Sequence, residues 1–112
     1  MGLQIDIGLI ATPSVTGLPA RIKLRQTISS NFPGGEAARI TYTIQGAGKV
    51  VFEGGGTTFQ VAGVHVPENI LQREDTVGLV WVGTPSPTQV VIRQEIVGIE
   101  DACHDGVVIS VQ

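Results

Sequence analysis

A single cysteine, Cys103, among 112 residues rules out an internal disulfide. The core alone must hold the fold, as suits a reducing compartment or a chain that needs no staple. Aromatic residues are scarce: Phe32, Tyr42, Phe52, Phe59 and Trp81 are all there is. They are not interleaved with cations, so stacking on nucleic-acid bases has no platform. Charged residues make up 15% of the chain, against about a quarter in ordinary soluble domains. The formal net charge of −3 leaves no basic surplus for a phosphate backbone, and no nucleic-acid partner is expected. No apolar run approaches the about 20 residues of a membrane span. The start, Met1-Gly2-Leu3-Gln4-Ile5-Asp6, has no basic segment ahead of an apolar block, so no secretory signal is expected. Gly2 is no myristoylation site, because Asp6 stands where that motif requires Ser or Thr. A helical period is also missing over any extended stretch.

What the chain does have is alternation. Leu3, Ile5, Ile7 and Leu9 alternate with Gln4, Asp6 and Gly8. Ile22, Leu24 and Ile28 alternate with Arg21, Lys23 and Arg25, and Ile40, Tyr42 and Ile44 with Arg39, Thr41 and Thr43. A period of two puts one set of side chains on each face of a strand. The 15 valines and 12 isoleucines, against 6 leucines, fit pleated sheets. Strands are expected over about 3–11, 20–29, 37–45, 48–53, 57–66, 76–83, 88–99 and 107–111. Gly46-Ala47-Gly48 fits a tight hairpin and Gly54-Gly55-Gly56 a flexible turn. Pro67 suits the first position of a helical turn that carries Ile70 and Leu71 inward and crosses between sheets. Seven or eight short strands at regular spacing predict one all-β domain over residues 1–112. Its architecture is expected to be a two-sheet antiparallel sandwich, immunoglobulin-like, with a jelly roll as the alternative and a closed barrel compatible with the same period.

Two segments depart from clean alternation. Val77-Gly78-Leu79-Val80-Trp81-Val82 is apolar on both faces at its end. Val90-Val91-Ile92-Arg93-Gln94-Glu95-Ile96-Val97 has an ambiguous inward phase, and a bulge near Gln94 would switch it. A strand apolar on both faces is covered by its own chain or by a partner. The candidate partner interface is therefore Val80, Trp81, Val82, Val91, Arg93 and Val97. Arg21, Lys23 and Arg25 form a second candidate, a charged row that meets phosphates or an acidic protein surface, or pairs with Asp6 or Glu36.

No constellation points to catalysis. Glu100-Asp101-Ala102-Cys103-His104-Asp105-Gly106 is the densest set of ligand-type residues. Neighbours such as Cys103 and His104 point apart in extended structure, and the alternating acidic positions of a calcium loop are missing. A hairpin loop with Asp105-Gly106 at its turn accounts for them. No serine lies in a Gly-x-Ser-x-Gly elbow, and the three glycines precede a strand rather than a phosphate-binding helix. No cofactor, metal or catalytic residue is expected.

In size, strand rhythm, richness in Gly, Thr and Val, and the lack of a signal segment, the whole chain resembles the small β-sandwich proteins of bacteriophage virions. These are the capsid decoration or cement proteins and the tail-associated immunoglobulin-like modules. The resemblance implies a non-enzymatic structural protein that bridges neighbouring subunits. Its partners would be capsid or tail subunits or copies of itself, and its place the virion, after synthesis in the host cytoplasm. A purely cytoplasmic protein is the alternative location. The alternative function is a small carbohydrate- or ligand-binding sandwich, with Phe32 and Trp81 as its aromatic contacts. A metal-dependent enzyme would need His65, His104 and a carboxylate to converge.

Overall fold

Alternating β-branched residues become strands wherever one phase can be buried, and two such sheets enclose one core. A computed structural model describes residues 3–5, 14–30, 32–45, 48–54, 56–68, 71–99 and 102–112. The strands are β1 (Leu3–Ile5), β2 (Ser14–Val15), β3 (Ala20–Ser30), β4 (Glu36–Gln45), β5 (Val50–Phe52), β6 (Thr58–Val66), β7 (Leu71–Trp81), β8 (Thr88–Val97) and β9 (Ala102–Val111). One sheet has the order β1-β3-β7-β5 and the other β2-β9-β8-β4-β6. All pairings are antiparallel except the short one of β2 with β9. Immunoglobulin-like sandwiches set strands A, B, E and D against C, F and G. Here β1, β3, β7 and β5 take the first four places, and β4, β8 and β9 the other three. The fold is the expected two-sheet sandwich, and these seven strands follow the immunoglobulin-like order. One departure is that β6, the strand beside β4, follows β5 in the chain instead of preceding it.

The core is built from the predicted phase. Ile22, Leu24 and Ile28 of β3 face Ile40, Tyr42 and Ile44 of β4 and Val90, Ile92 and Ile96 of β8, with Val77, Leu79, Val50, Phe52 and Ile109 filling between them. The molecule is elongated, 50 × 21 × 17 Å, as strands of ten or eleven residues require at about 3.3 Å per residue.

Several expectations need correcting. The first predicted strand, 3–11, corresponds to β1 on one sheet, with β2 after it on the other. Its residues 6–11, Asp6 among them, lie outside the described residues, as do Gly2, Gly46, Ala47, Gly55, Ile70, Glu100 and Asp101. β4 and β5 belong to different sheets, so they are not the two arms of one hairpin. Each connection from β4 to β7 changes sheet, including the one after Pro67, where a crossing was expected. Strand β7 begins at Leu71, well before residue 76. Its inward phase includes two charged residues, Arg73 and Asp75, which a burial pattern read from sequence rejects. No bulge lies at Gln94: β8 pairs with β4 and β9 without a shift, and Gln94 is fully buried between Ile92 and Ile96. The bulge is in β6, opposite Arg39, where Gly63 adopts a left-handed φ of 72°. Residues 102–106 are not a loop. They extend β9 because the long β8 needs a partner along its whole length, from Thr88↔Val111 to Val97↔Ala102.

One buried carboxylate locks an end of the sandwich. Glu36, 3% exposed, accepts hydrogen bonds from the Ser30 hydroxyl and, at 2.9 Å, from the Ile99 backbone N–H. It thereby joins the end of β3 to the tip of the β8–β9 hairpin, and it does not pair with the basic row. Glu36→Ala leaves both donors without this acceptor and should cost about 1–3 kcal/mol in a urea titration. Glu68→Ala removes an exposed acceptor for Gly34 N–H and should cost less. Equal costs for the two variants would contradict the lock.

Candidate protein-interaction surfaces

The interior polar residues are occupied with one another. Gln26 of β3 and Asp75 of β7 project from one sheet, and Tyr42 of β4 and Gln94 of β8 from the other. The Tyr42 hydroxyl has one proton and two acceptors, Asp75 Oδ2 at 2.5 Å and Gln26 Oε1 at 2.8 Å. Gln94 Nε2 donates to Gln26 Oε1 and, at 3.1 Å, to the Tyr42 oxygen. Gln26 Nε2 faces Leu24 O and Asp75 Oδ2, each at 3.3 Å, and these acceptors fix the orientation of its amide. Arg73 closes the cluster with a two-pronged contact to Asp75, at 3.1 and 3.2 Å. Burial holds the Tyr42 phenol well above its ordinary value, helped by the hydrogen bond and the negative charge of Asp75. The cluster is structural: its members bond one another across the two sheets, and one atom, Gln94 Oε1, stays buried without a hydrogen-bond partner.

The six residues of the predicted interface do not form one patch. Val80 faces outward on the four-stranded sheet beside its register partner Val51. Trp81 takes the inward phase and packs half-buried against the core, and Val82, just past β7, is 48% exposed. Val91, Arg93 and Val97 lie on the outer face of the other sheet. There the structure brings them together with residues that sequence reasoning passed over. Val91 pairs with Val108, Arg93 with Gly106, Glu95 with His104 and Val97 with Ala102. Val108 is 54% exposed and Val97 43%. Thr41, Thr43 and Gln45 of β4 continue the same face, and with Arg93 and Glu95 they line a depression. The signal that could have found Val108 is its phase, once β9 is known to start at Ala102.

Arg21, Lys23 and Arg25 do share the outer face of β3. Their neighbour is Glu74 of β7, with Arg25 Nε at 2.8 Å and Lys23 Nζ at 4.0 Å. Both cations are largely exposed, so these pairs contribute little to stability. Arg21 lies opposite Gly78 and lines a depression together with Glu53. The Glu53 side chain lies across Gly78, where any Cβ would collide with it. That close approach explains a glycine inside a strand.

The aromatic pair proposed for a ligand is separated. Phe32 follows the C-terminal end of β3, while Trp81 ends β7, antiparallel to β3, at the other end of the long axis. Trp81 shares its own groove with Leu18, Pro85 and Pro87. His65 and His104 sit on β6 and β9, with β8 and β4 between them, and are more than about 14 Å apart at the usual strand spacing. Cys103 and Asp105 take the inward phase of β9 and His104 the outward one. Among the described residues, no group of three His, Cys, Asp or Glu side chains could hold a metal ion. Among the described residues, no helix is long and apolar enough to cross a membrane. Compared with known proteins, the chain matches no family model and no curated protein.

Tyr42 is the only tyrosine, so its titration reads the interior directly. Its folded pKa is raised, so the phenol stays protonated in the folded state after the unfolded state begins to ionise. Stability is therefore unaffected below the ordinary tyrosine value of 10.0 and falls as pH rises past it. Absorbance of the phenolate should appear only together with loss of the β-sheet circular dichroism signal. A phenolate that forms near the ordinary value in the folded protein would contradict the cluster.

Proposed function

We propose that this chain is a non-enzymatic assembly protein, a virion component of the capsid decoration or cement kind. It docks on shell or tail subunits through the outer face of its five-stranded sheet. The observation that carries the reading is the band formed by exposed Val97 and Val108 and half-buried Val91 around Arg93 and Glu95. Four strands of nine or ten residues form that face, which gives a broad area with few charges. A broad, largely neutral sheet face suits another protein surface better than a small molecule, which binds in a concave site. The profile resemblance to small phage sandwich proteins supports the same reading. A second reading, a carbohydrate- or ligand-binding module, draws on the Trp81 groove, where an aromatic ring lies between Leu18 and two prolines.

The test is mass spectrometry of virus particles purified from the producing culture, beside particles carrying Val108→Glu or Arg93→Glu. The chain should be present in a fixed ratio to the shell subunit. Each variant should keep its melting temperature and lose particle retention by about tenfold or more. Absence from the particles would refute the virion assignment. Quenching of Trp81 fluorescence by glycans, with no particle association, would favour the ligand reading.

A further inference from the structure

The edges of the two sheets are unequal. Among the described residues, β1 and β5 have three residues each and β2 has two. Among the described residues no strand covers β7 beyond β5, but Arg73 and Asp75 point inward along that stretch, a device that keeps edges from pairing. Strand β6 is different. It has nine residues, β4 on one side and no strand on the other among the described residues. Thr57, Thr58, Phe59 and Gln60 are all exposed, whichever face they point to. Residues 57–64 carry no ionisable side chain and no proline. The protection present is the bulge at Gly63, which lies beyond that exposed run.

The ladder fixes which groups are unpaired. Ile44 N–H donates to Thr57 O at 2.9 Å, and the register continues as Thr43↔Thr58, Tyr42↔Phe59, Thr41↔Gln60 and Ile40↔Val61. Antiparallel pairs alternate between bonded and non-bonded. Thr57, Phe59 and Val61 therefore bond toward β4, and the N–H and C=O groups of Thr58 and Gln60 face the open edge.

We propose that this edge binds a second copy of the same chain, β6 antiparallel to β6 across a two-fold axis, so that the two five-stranded sheets join into one. The pairing deepens the assembly reading and rests on it. The occupant follows from charge. A two-fold contact sets every residue near the axis against its own copy. A charged edge would repel itself, whereas this stretch brings no charge to the axis. Residues facing each other across antiparallel strands point to the same face. With Gln60 opposite its own copy, Phe59 therefore meets the second copy's Val61. Phe59 is 41% exposed and touches Tyr42 and Phe52, at ring-centre distances of 6.2 and 6.3 Å. The pairing would cover it and extend the core.

Sedimentation equilibrium of the full chain, from about 10 to 500 µM, tests this in the range of small interfaces. Dimers should form, and amide exchange at Thr58 and Gln60 should slow as concentration rises. Gln60→Lys places two like charges on the axis and should weaken the dimer by about tenfold or more at unchanged melting temperature. Mixing the Gln60→Lys and Gln60→Glu chains should restore pairing. A monomer throughout the range, or a dimer indifferent to both variants, would overturn the proposal. A monomer still retained on virus particles would overturn this pairing alone. A dimer absent from particles would overturn the virion assignment and leave the pairing intact.

Discussion

The hydrogen-bonded cluster of Tyr42, Asp75, Gln26, Gln94 and Arg73 is the constraint on which the rest of the sandwich depends. Apolar packing is tolerant: valine and isoleucine faces slide over one another at modest cost. A buried amide, phenol or carboxylate is not tolerant, because each loses water and must find a partner in one place. The cluster draws on β3 and β7 from one sheet and on β4 and β8 from the other. It thereby fixes how the two sheets lie on each other along the long axis. It also accounts for the phase of β7, in which two charged residues point toward the core and find each other and Tyr42 there.

With the interior polar groups engaged inward, the outer surfaces divide the remaining roles. The four-stranded sheet carries a basic row moderated by Glu74. The five-stranded sheet carries exposed valines around Arg39, Arg93 and Glu95. Opposite β9, the same sheet ends in an uncharged edge. The proposed assembly role would use such a division: a face for one neighbour, an edge for another and a rigid interior between them. Rigidity here comes from long, non-local pairings such as Lys23↔Thr76 and Tyr42↔Gln94, which tie distant parts of the chain together.

How much of this could be read from the sequence follows from what period two encodes. It encodes a face, so β3, β4, β6 and β8 were legible nearly to their ends. It does not encode a neighbour, so neither the sheet to which β5 belongs nor the separation of Val80 from Val91 could be seen. Polar residues on an inward phase misled the reading twice. Gln94 reads as a change of phase, and a strand that starts at about 76 leaves Arg73 and Asp75 outside it. Both are inward because their partners come from strands far away in sequence. The candidate face was legible in Val91, Arg93 and Val97. Val108 was hidden because Asp105-Gly106 has the composition of a turn, while the length of β8 requires a partner strand there.

The most direct test of the clamp between the sheets is a double-mutant cycle on its cross-sheet bond between Tyr42 and Asp75. Unfolding free energies of the parent chain, Tyr42→Phe, Asp75→Ala and the double variant give the coupling between the two side chains. A coupling of about 1–3 kcal/mol is predicted for groups in direct buried contact. A coupling near zero, with each single variant stable and its effects additive, would contradict the account.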